Sequence, residues 1–329
     1  MQESQNLMSI PMPEPKKISN FSRRTFLTTA TAGAAAVGLA AGKRASGKPG
    51  GGGKRRGRVR WRFQAQRIEE TFGDGSSVPF FRYVAVGNTR SNGRLPLMQD
   101  RENRKVSVSI ENLVDFPIQP TILNYDSGPV IMPQETAVWD FVMPPEGTWI
   151  FTEALLGTFA SSAGFAAAMI SNPTVQNPAM REYFLMYQDA DDRWNNAIDN
   201  GNLPDEAVFE PNYHTLNGLS YPMTLMDNRT RINCELGEDV LIRIANLSNI
   251  RHSLHFHGYH VDILKRNNKL ETILPEKDTI ALDVNSTTDV LMHVKQVGEY
   301  PVHPHSLTAT TDNGTYQGGS VTMIDAQEA

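Results

Sequence analysis

Short runs in which apolar and polar residues alternate dominate the chain from Val59 onward. Residues 106–110 alternate strictly, and residues 137–142 and 148–151 are rich in Val, Trp, Phe and Ile. A period of two is typical of a β-strand that buries one face, and these residue types favour strands. Pro and Gly separate the runs at short intervals. The first part of the chain is therefore predicted to be a series of short β-strands.

A second series of strands is predicted in the last third of the chain. It comprises residues 239–245, 254–264, 279–284, 289–294, 299–302 and 320–324. Strands at this spacing, without helices between them, are typical of a β-sandwich or barrel. The two halves also contain similar segments, because Val-Ser-Val-Ser-Ile-Glu-Asn-Leu from Val106 resembles Val-Leu-Ile-Arg-Ile-Ala-Asn-Leu from Val240. The fold class is predicted to be all-β, with one β-domain used twice.

A length of 329 residues agrees with two domains. We place the first domain at residues 63–172 and the second at residues 213–329. Residues 173–212 are interpreted as a connector, in which residues 189–200 are predicted to form a short helix.

The N-terminal segment is predicted to direct export. Arg23 and Arg24 precede a weakly apolar Ala/Gly/Thr stretch, which is typical of a twin-arginine (Tat) signal, and we assign residues 1–45 to it. Residues 46–62 are rich in Gly, Lys and Arg and are interpreted as a flexible basic linker. The expected location is periplasmic or secreted.

Charge is distributed unevenly along the chain. Residues 1–62 hold 13 of the 31 basic residues and 2 of the 36 acidic ones, which leaves 18 basic against 34 acidic residues in the remainder. An acidic body argues against nucleic acid as a partner. No run after the signal is apolar enough for a stable membrane span in the mature form. Cys234 is the single cysteine, so an intrachain disulfide is excluded, and we expect a partly buried strand cysteine.

Six of the eight histidines occur in two short segments. These are His252-Ser-Leu-His255-Phe-His257-Gly-Tyr-His260 and His303-Pro304-His305. Because side chains alternate along a strand, each His-X-His pair presents both imidazoles on one face. If the two strands are neighbours, the four imidazoles of His255, His257, His303 and His305 converge on one patch. Such a set suits Cu, Zn, Fe or Ni better than Mg or Ca.

His252 has the opposite parity to His255, so it is expected to face away from the four. A metal ligand and a hydrogen-bonded core histidine are both open for it.

Three segments of the second half resemble the last cupredoxin domain of multicopper oxidases. These are Tyr213-His-Thr-Leu-Asn-Gly-Leu-Ser-Tyr-Pro222, the run from His252 to Leu264, and the run from Tyr300 through Asp312-Asn-Gly314 to Gly318-Gly319. The first half resembles the N-terminal cupredoxin domain of that family more loosely. The resemblance implies two Greek-key cupredoxin β-sandwiches, copper as cofactor, and the two His-X-His pairs as ligands of an oxygen-reducing copper cluster.

The chain departs from that family at the blue copper site. His252 matches the first histidine ligand, but Pro304 occupies the position of the cysteine, Ala309 that of the second histidine, and Ser320 that of the methionine. The thiolate is the defining ligand of a blue copper. We therefore expect no type 1 blue copper and no electron path through Pro304.

The first domain departs as well, because no histidine precedes His214. The family's other histidine pairs would fall near residues 123–125 and 152–154. Asp126 and Glu153 could supply oxygen ligands there, although a surface carboxylate is the favoured interpretation of each.

Three functions follow from this pattern. The first is an exported copper oxidoreductase that takes electrons directly from a small-molecule or metal-ion reductant, and the second is a non-enzymatic protein for copper sequestration or delivery. A weaker third is a zinc site that activates water with Glu153 as base. Analogy with two-domain relatives of the family suggests a homotrimer.

Overall fold

The computed structural model describes residues 60–174, 180–204, 208–273 and 275–329. The predicted signal and nearly all of the predicted linker lie outside these residues. The described chain is built mostly of β-strands arranged in four sheets. The predicted all-β class is therefore confirmed.

The first domain consists of two facing sheets. Its strands are β1 (Trp61–Thr71), β2 (Ser77–Ala85), β3 (Ser91–Asn92), β4 (Leu95–Arg101), β5 (Lys105–Asn112), β6 (Pro120–Ile122), β7 (Asp126–Ser127), β8 (Thr136–Val142), β9 (Gly147–Glu153) and β10 (Ala167–Asn172). One sheet has the order β2-β1-β5-β8 and the other β3-β4-β10-β9-β6-β7. Inward-facing aromatic and aliphatic side chains, among them Phe63, Val108 and Phe151, form the core between them.

The second domain repeats this plan. Its strands are β11 (Arg181–Ala190), β12 (Tyr213–Leu216), β13 (Ile232–Glu235), β14 (Asp239–Asn246), β15 (His252–Phe256), β16 (Val261–Arg266), β17 (Lys269–Leu270), β18 (Glu276–Lys277), β19 (Thr279–Leu282), β20 (Ser286–His293), β21 (Gly298–Pro304) and β22 (Thr322–Gln327). One sheet has the order β12-β11-β14-β20-β16-β17, with β18 paired to β16, and the other β13-β22-β21-β15-β19.

Strand β11 lies within the segment interpreted as a connector. It runs parallel to β14 and antiparallel to β12, so it belongs to the second domain. Its even and odd positions are both buried: Tyr183, Leu185 and Tyr187 enter the second-domain core, while Phe184 and Met186 face the first domain. A strand buried on both faces lacks the alternation that identified the other strands.

Helices are short and few in the described chain. They are α1 (Phe159–Ala163), α2 (Asp192–Asp199), α3 (Met223–Met226) and a 3-10 turn at Leu307–Thr310. Helix α2 occupies the segment predicted to be helical, and the Asp191 side chain caps it by accepting from the Arg193 N–H at 3.0 Å. No helix of the described residues is both long and apolar enough to cross a membrane.

The two domains meet across one sheet of each. Side chains from β4, β9 and β10 of the first domain pack on side chains from β11 and β14 of the second. This interdomain cluster comprises Leu95, Leu97, Ile150, Ala166, Ala168, Ile170, Phe184, Met186, Ala245 and Leu247. The opposite sheet of the second domain, which contains β15 and β21, remains free to carry a site on its outer face.

Candidate metal centre

Strands β15 and β21 are antiparallel neighbours, and their register aligns the two His-X-His pairs. His255 lies opposite His303. The ladder continues past both strand ends, because the His257 N–H donates to the Pro301 carbonyl at 3.0 Å and the His305 N–H to the Ser253 carbonyl at 2.6 Å. The intervening apolar residues point inward and are buried, so the histidines point outward.

The four imidazoles lie together on the outer face of this sheet. The ring centroids of His255 and His257 are 4.6 Å apart, those of His257 and His303 5.2 Å, and those of His255 and His305 5.7 Å. The centroid distances His255–His303 and His303–His305 are 6.1 and 6.5 Å. We call these four residues the histidine cluster. The structure therefore brings the predicted four side chains onto one patch.

Hydrogen bonds orient two of the rings. His255 Nδ1 lies 2.9 Å from Thr279 Oγ1 and 3.2 Å from the Asp278 carbonyl oxygen, and His303 Nδ1 lies 2.9 Å from the Pro304 carbonyl oxygen. A carbonyl only accepts, so Nδ1 carries the proton in both rings. In the neutral imidazoles Nε2 is then the atom with the free electron pair. An outer N–H bound to a carbonyl is the usual support of a metal-binding histidine.

The distance between His257 Nε2 and His303 Nε2 allows a test of fit. The two atoms are 3.0 Å apart and share one hydrogen bond. Metal–nitrogen bonds of roughly 2.0–2.1 Å at a tetrahedral angle would separate two ligand nitrogens by about 3.3 Å. A metal ion could replace the shared proton with a small side-chain adjustment. As the side chains stand, no group of three or more His, Cys, Asp or Glu in the described chain is closed into a metal-binding arrangement.

The electrostatics of the cluster favour neutral imidazole. Partial desolvation, followed by the charges of His255, His303 and His305, lowers the pKa of His257 below its usual value. A metal ligand must be the unprotonated ring, so the cluster favours the form that a metal requires.

His252 lies on the opposite face of β15, as its parity predicted. It is buried, and its Nε2 lies 2.8 Å from the Asp189 carboxylate. His214 Nδ1 and the Ser248 hydroxyl bond to the same carboxylate. The structure thus places His252 in a buried triad with Asp189 and His214, apart from the histidine cluster. Its Nδ1 has no hydrogen-bond partner among the described residues.

The triad contains an ionised carboxylate. Burial opposes ionisation of Asp189, but hydrogen bonds from His214 and His252 outweigh it and hold the pKa of the carboxyl below its usual range. The sequence did not indicate Asp189, because it lies on the strand that was interpreted as a connector. Tyr187 stands beside the triad, with its ring 6.3 Å from that of His252.

The residues that the family resemblance places at blue-copper positions are buried and offer no strong ligand. Pro304, Ala309 and Ser320 all lie in the protein interior. Cys234 is buried in β13, where burial raises the pKa of its thiol to about 11. A protonated thiol on another strand does not replace the missing thiolate.

Glu153 is neither a surface carboxylate nor a free base. It is 2% exposed, and its carboxylate accepts from the backbone N–H groups of Gln119, Leu155 and Leu156 at 2.7–2.9 Å. The favoured interpretation of Glu153 as a surface residue was wrong, and these bonds leave the carboxylate engaged in the first domain. Asp126, by contrast, is exposed on β7 as expected.

Two further histidines lie outside the cluster. His260 is exposed in the turn after β15. His293 stands on β20 between Asp239, whose Oδ1 lies 2.5 Å from its Nδ1, and Asp262, whose Oδ2 lies 3.2 Å from its Nε2. Both carboxylates, beginning with Asp239, raise the pKa of His293.

The comparisons with known proteins agree with this architecture. The family model described as multicopper oxidase matches residues 190–318, which span most of the second domain and the whole histidine cluster. No curated protein sequence matches the chain.

Solved structures of copper proteins share the fold. The blue copper oxidase from Nitrosomonas europaea aligns with a TM-score of 0.68 and 21% identity over 80% of this chain and 85% of that chain. A multicopper oxidase called mgLAC aligns with a TM-score of 0.67 and 18% identity over 81% and 84%. The copper nitrite reductase from Nitrosomonas europaea aligns with a TM-score of 0.60 and 15% identity over 80% and 92%. At these identities the likeness concerns the fold. The resemblance to multicopper oxidases is confirmed, and with it the cupredoxin-like form of both domains.

Proposed function

We propose that this chain, whose second domain matches the multicopper oxidase family, binds copper through His255, His257, His303 and His305. The observation that carries the proposal is the convergence of these four imidazoles on two paired strands, with the Nε2 atoms of His257 and His303 3.0 Å apart. Imidazole nitrogens suit copper, and the two rings held through Nδ1 present Nε2 for binding.

The activity that we propose is that of an oxidoreductase without a blue copper. Copper held by imidazoles exchanges single electrons, which is the chemistry that the metal would supply here. Because the interior behind His303 contains Pro304 in place of a thiolate, the chain offers no internal electron path of the blue-copper kind. The outer face is open, since His257 and His305 are exposed. The reductant, a small molecule or a metal ion, would therefore approach the cluster directly.

A second function is favoured by the same exposure. A cluster on an open face, with no closed ligand shell in the described chain, would load and release copper readily. This agrees with a non-enzymatic role in copper sequestration or delivery.

Export through the twin-arginine route and a periplasmic or secreted location are part of the proposal. They rest on Arg23 and Arg24 ahead of the weakly apolar segment. A homotrimer is also proposed, by analogy with two-domain members of the family that the second domain matches. Light scattering on the purified protein tests it, and a monomer at all concentrations would contradict it.

Copper stoichiometry tests the cluster. The double variant His303→Ala/His305→Ala is expected to lose most bound copper, because it removes half of the imidazoles, while His260→Ala, an exposed neighbour outside the cluster, is expected to retain it. Metal analysis after dialysis gives the ratio of copper to protein. Wild-type stoichiometry in the double variant would reject the four-histidine site.

Absorption spectroscopy and oxygen uptake separate the two functions. Copper-loaded protein is expected to lack an intense thiolate charge-transfer band, because Pro304 provides no sulfur. Oxygen consumption with phenolic, metal-ion or small reductant donors would support the oxidoreductase. Tight copper binding without any oxygen uptake would support sequestration or delivery instead.

A further inference from the structure

The first domain contains a cavity that the proposed copper function does not use. Its volume is about 260 Å³, and it lies between β1, β2, the loop after β5 and the end of α2. Its walls are mainly apolar and include Phe81, Leu113, Phe116, Leu156, Ile198 and Leu203. None of the lining residues is a histidine. A concave apolar pocket with a few polar groups at its mouth is the usual form of a small-molecule site.

Two aromatic rings shape the pocket wall. Phe81 and Phe116 meet edge to face, with ring centroids 5.3 Å apart. Phe81 and Leu156 are each 3% exposed, so this part of the wall belongs to the domain core and is rigid. A wall of this kind fits a single flat ring, and aromatic faces also attract cations.

The charged side chains at the mouth of the cavity carry a net negative charge. Arg67 donates to both carboxylate oxygens of Asp199, and its NH1 also lies 2.8 Å from Glu69. Its guanidinium is therefore already neutralised by two carboxylates. Asp115, by contrast, is exposed and has no hydrogen-bond or ion-pair partner among the described residues. The one uncompensated charge in the lining is therefore a carboxylate.

We propose that this cavity binds a small organic cation, namely a primary amine on a single ring or a short branched apolar body. The apolar part lies against Phe81, Phe116 and Leu156, and the ammonium group faces Asp115. The acidic surplus of the chain after residue 62 favours the approach of such a cation. A carboxylate of the same shape is disfavoured, because it would face Asp115 while Arg67 is already paired.

Three probes of matched shape test the charge preference. Calorimetric titration of the purified protein with benzylamine, benzyl alcohol and benzoate is expected to show saturable binding of one benzylamine. Benzyl alcohol is expected to bind about fivefold more weakly, since an exposed ion pair contributes up to about 1 kcal/mol. Benzoate is expected to bind more weakly still. Equal binding of all three, or tighter binding of benzoate, would overturn the proposal.

Two variants test the location. Asp115→Asn is expected to reduce benzylamine affinity to that of benzyl alcohol, whereas the control Asp126→Asn, an exposed carboxylate elsewhere in the domain, leaves it unchanged. Leu203→Trp at the half-buried rim is expected to abolish binding of every probe by filling the cavity. Unchanged benzylamine binding in both Asp115→Asn and Leu203→Trp would place the amine elsewhere and reject the site.

Binding of benzylamine in the cavity is independent of the proposed copper function. Because no histidine lines the cavity, the variant His303→Ala/His305→Ala should bind benzylamine as the wild type does. Failure of copper binding and failure of amine binding are thus separate outcomes.

Discussion

At the scale of single residues, the pKa values of two buried carboxyl groups are shifted in opposite directions. Asp189 receives hydrogen bonds from two histidines, and its pKa is lowered. Glu153 receives only backbone N–H groups, and burial outweighs them and raises its pKa to about 7. The difference lies in the partners, because imidazoles can carry positive charge and amides cannot. Glu153 therefore makes stability depend on pH near neutrality.

The variant Glu153→Gln tests this dependence. The folded pKa of Glu153 is about 7, above the unfolded value near 4.5, so its stabilising contribution is present below pH 4.5 and is lost as pH rises to 7. In the wild type this contributes a decrease in the free energy of unfolding of up to about 3 kcal/mol across that window. Glutamine does not titrate, so the variant should lack this decrease.

Urea unfolding of both proteins at several pH values between 4.5 and 7.5 measures the effect as a difference, which cancels the contribution of other titrating groups. The same pH dependence in variant and wild type would contradict the raised pKa.

Residue parity was the most reliable information in the sequence. It correctly predicted that His255, His257, His303 and His305 share one face and that His252 lies on the other. It could not identify Asp189 as the partner of His252, because 63 residues separate them and only tertiary packing brings them together. It also could not distinguish an exposed from a buried Glu153, whose partners are backbone groups of two loops.

At the scale of elements, the buried triad connects the two sheets of the second domain. Asp189 lies on β11 and His214 on β12, which are paired in one sheet, while His252 lies on β15 in the other. The triad therefore joins the sheets from inside, directly behind β15, which carries His255 and leads into His257. His252, the residue that the family resemblance assigned to a blue copper, is held here by hydrogen bonds to Asp189.

The variant Asp189→Asn should destabilise the second domain. It removes the charge of a fully buried acceptor that binds His214, His252 and Ser248, and loss of one partner from such a set costs about 3 kcal/mol. Urea unfolding monitored by circular dichroism measures the change, with the exposed Asp126→Asn as the control. A change below about 0.5 kcal/mol, the range of ordinary surface substitutions, would refute a stabilising triad.

Strand prediction failed in one informative place. The strands with one solvent-facing side, such as β5 and β8, alternate and were found from the sequence. Strand β11 packs against a core on each side, and the middle of its sequence is therefore a continuous apolar run. Single-sequence periodicity identifies a strand by its contact with water, so it gives no signal for a strand such as β11, which is buried on both faces along most of its length.

At the scale of the whole molecule, a buried ion pair on β14 and β20 contributes to the contact between the two domains. Arg243 on β14 is buried among the carboxylates of Asp289, at 2.8 Å, and Glu182, at 2.6 Å. The Thr148 hydroxyl of the first domain donates to Asp289 and lies 3.4 Å from Arg243. Asn268 adds two hydrogen bonds to the Thr148 backbone, at 2.8 and 2.9 Å. Together with the interdomain apolar cluster, these bonds favour cooperative unfolding of both domains.

The variant Arg243→Met is predicted to weaken this coupling. It leaves the Asp289 carboxylate buried without its cation, and removal of one partner from a buried ion pair costs about 3–5 kcal/mol. Burial already raises the pKa of Asp289, so the carboxyl should take up a proton in the variant and part of the loss should be recovered at low pH. The double variant Arg243→Met/Asp289→Leu should be more stable than the single variant, because no unpaired charge remains.

Calorimetry is expected to show one transition in the wild type and a lower or divided transition in Arg243→Met. An unchanged single transition in Arg243→Met would show that the apolar cluster alone holds the domains together.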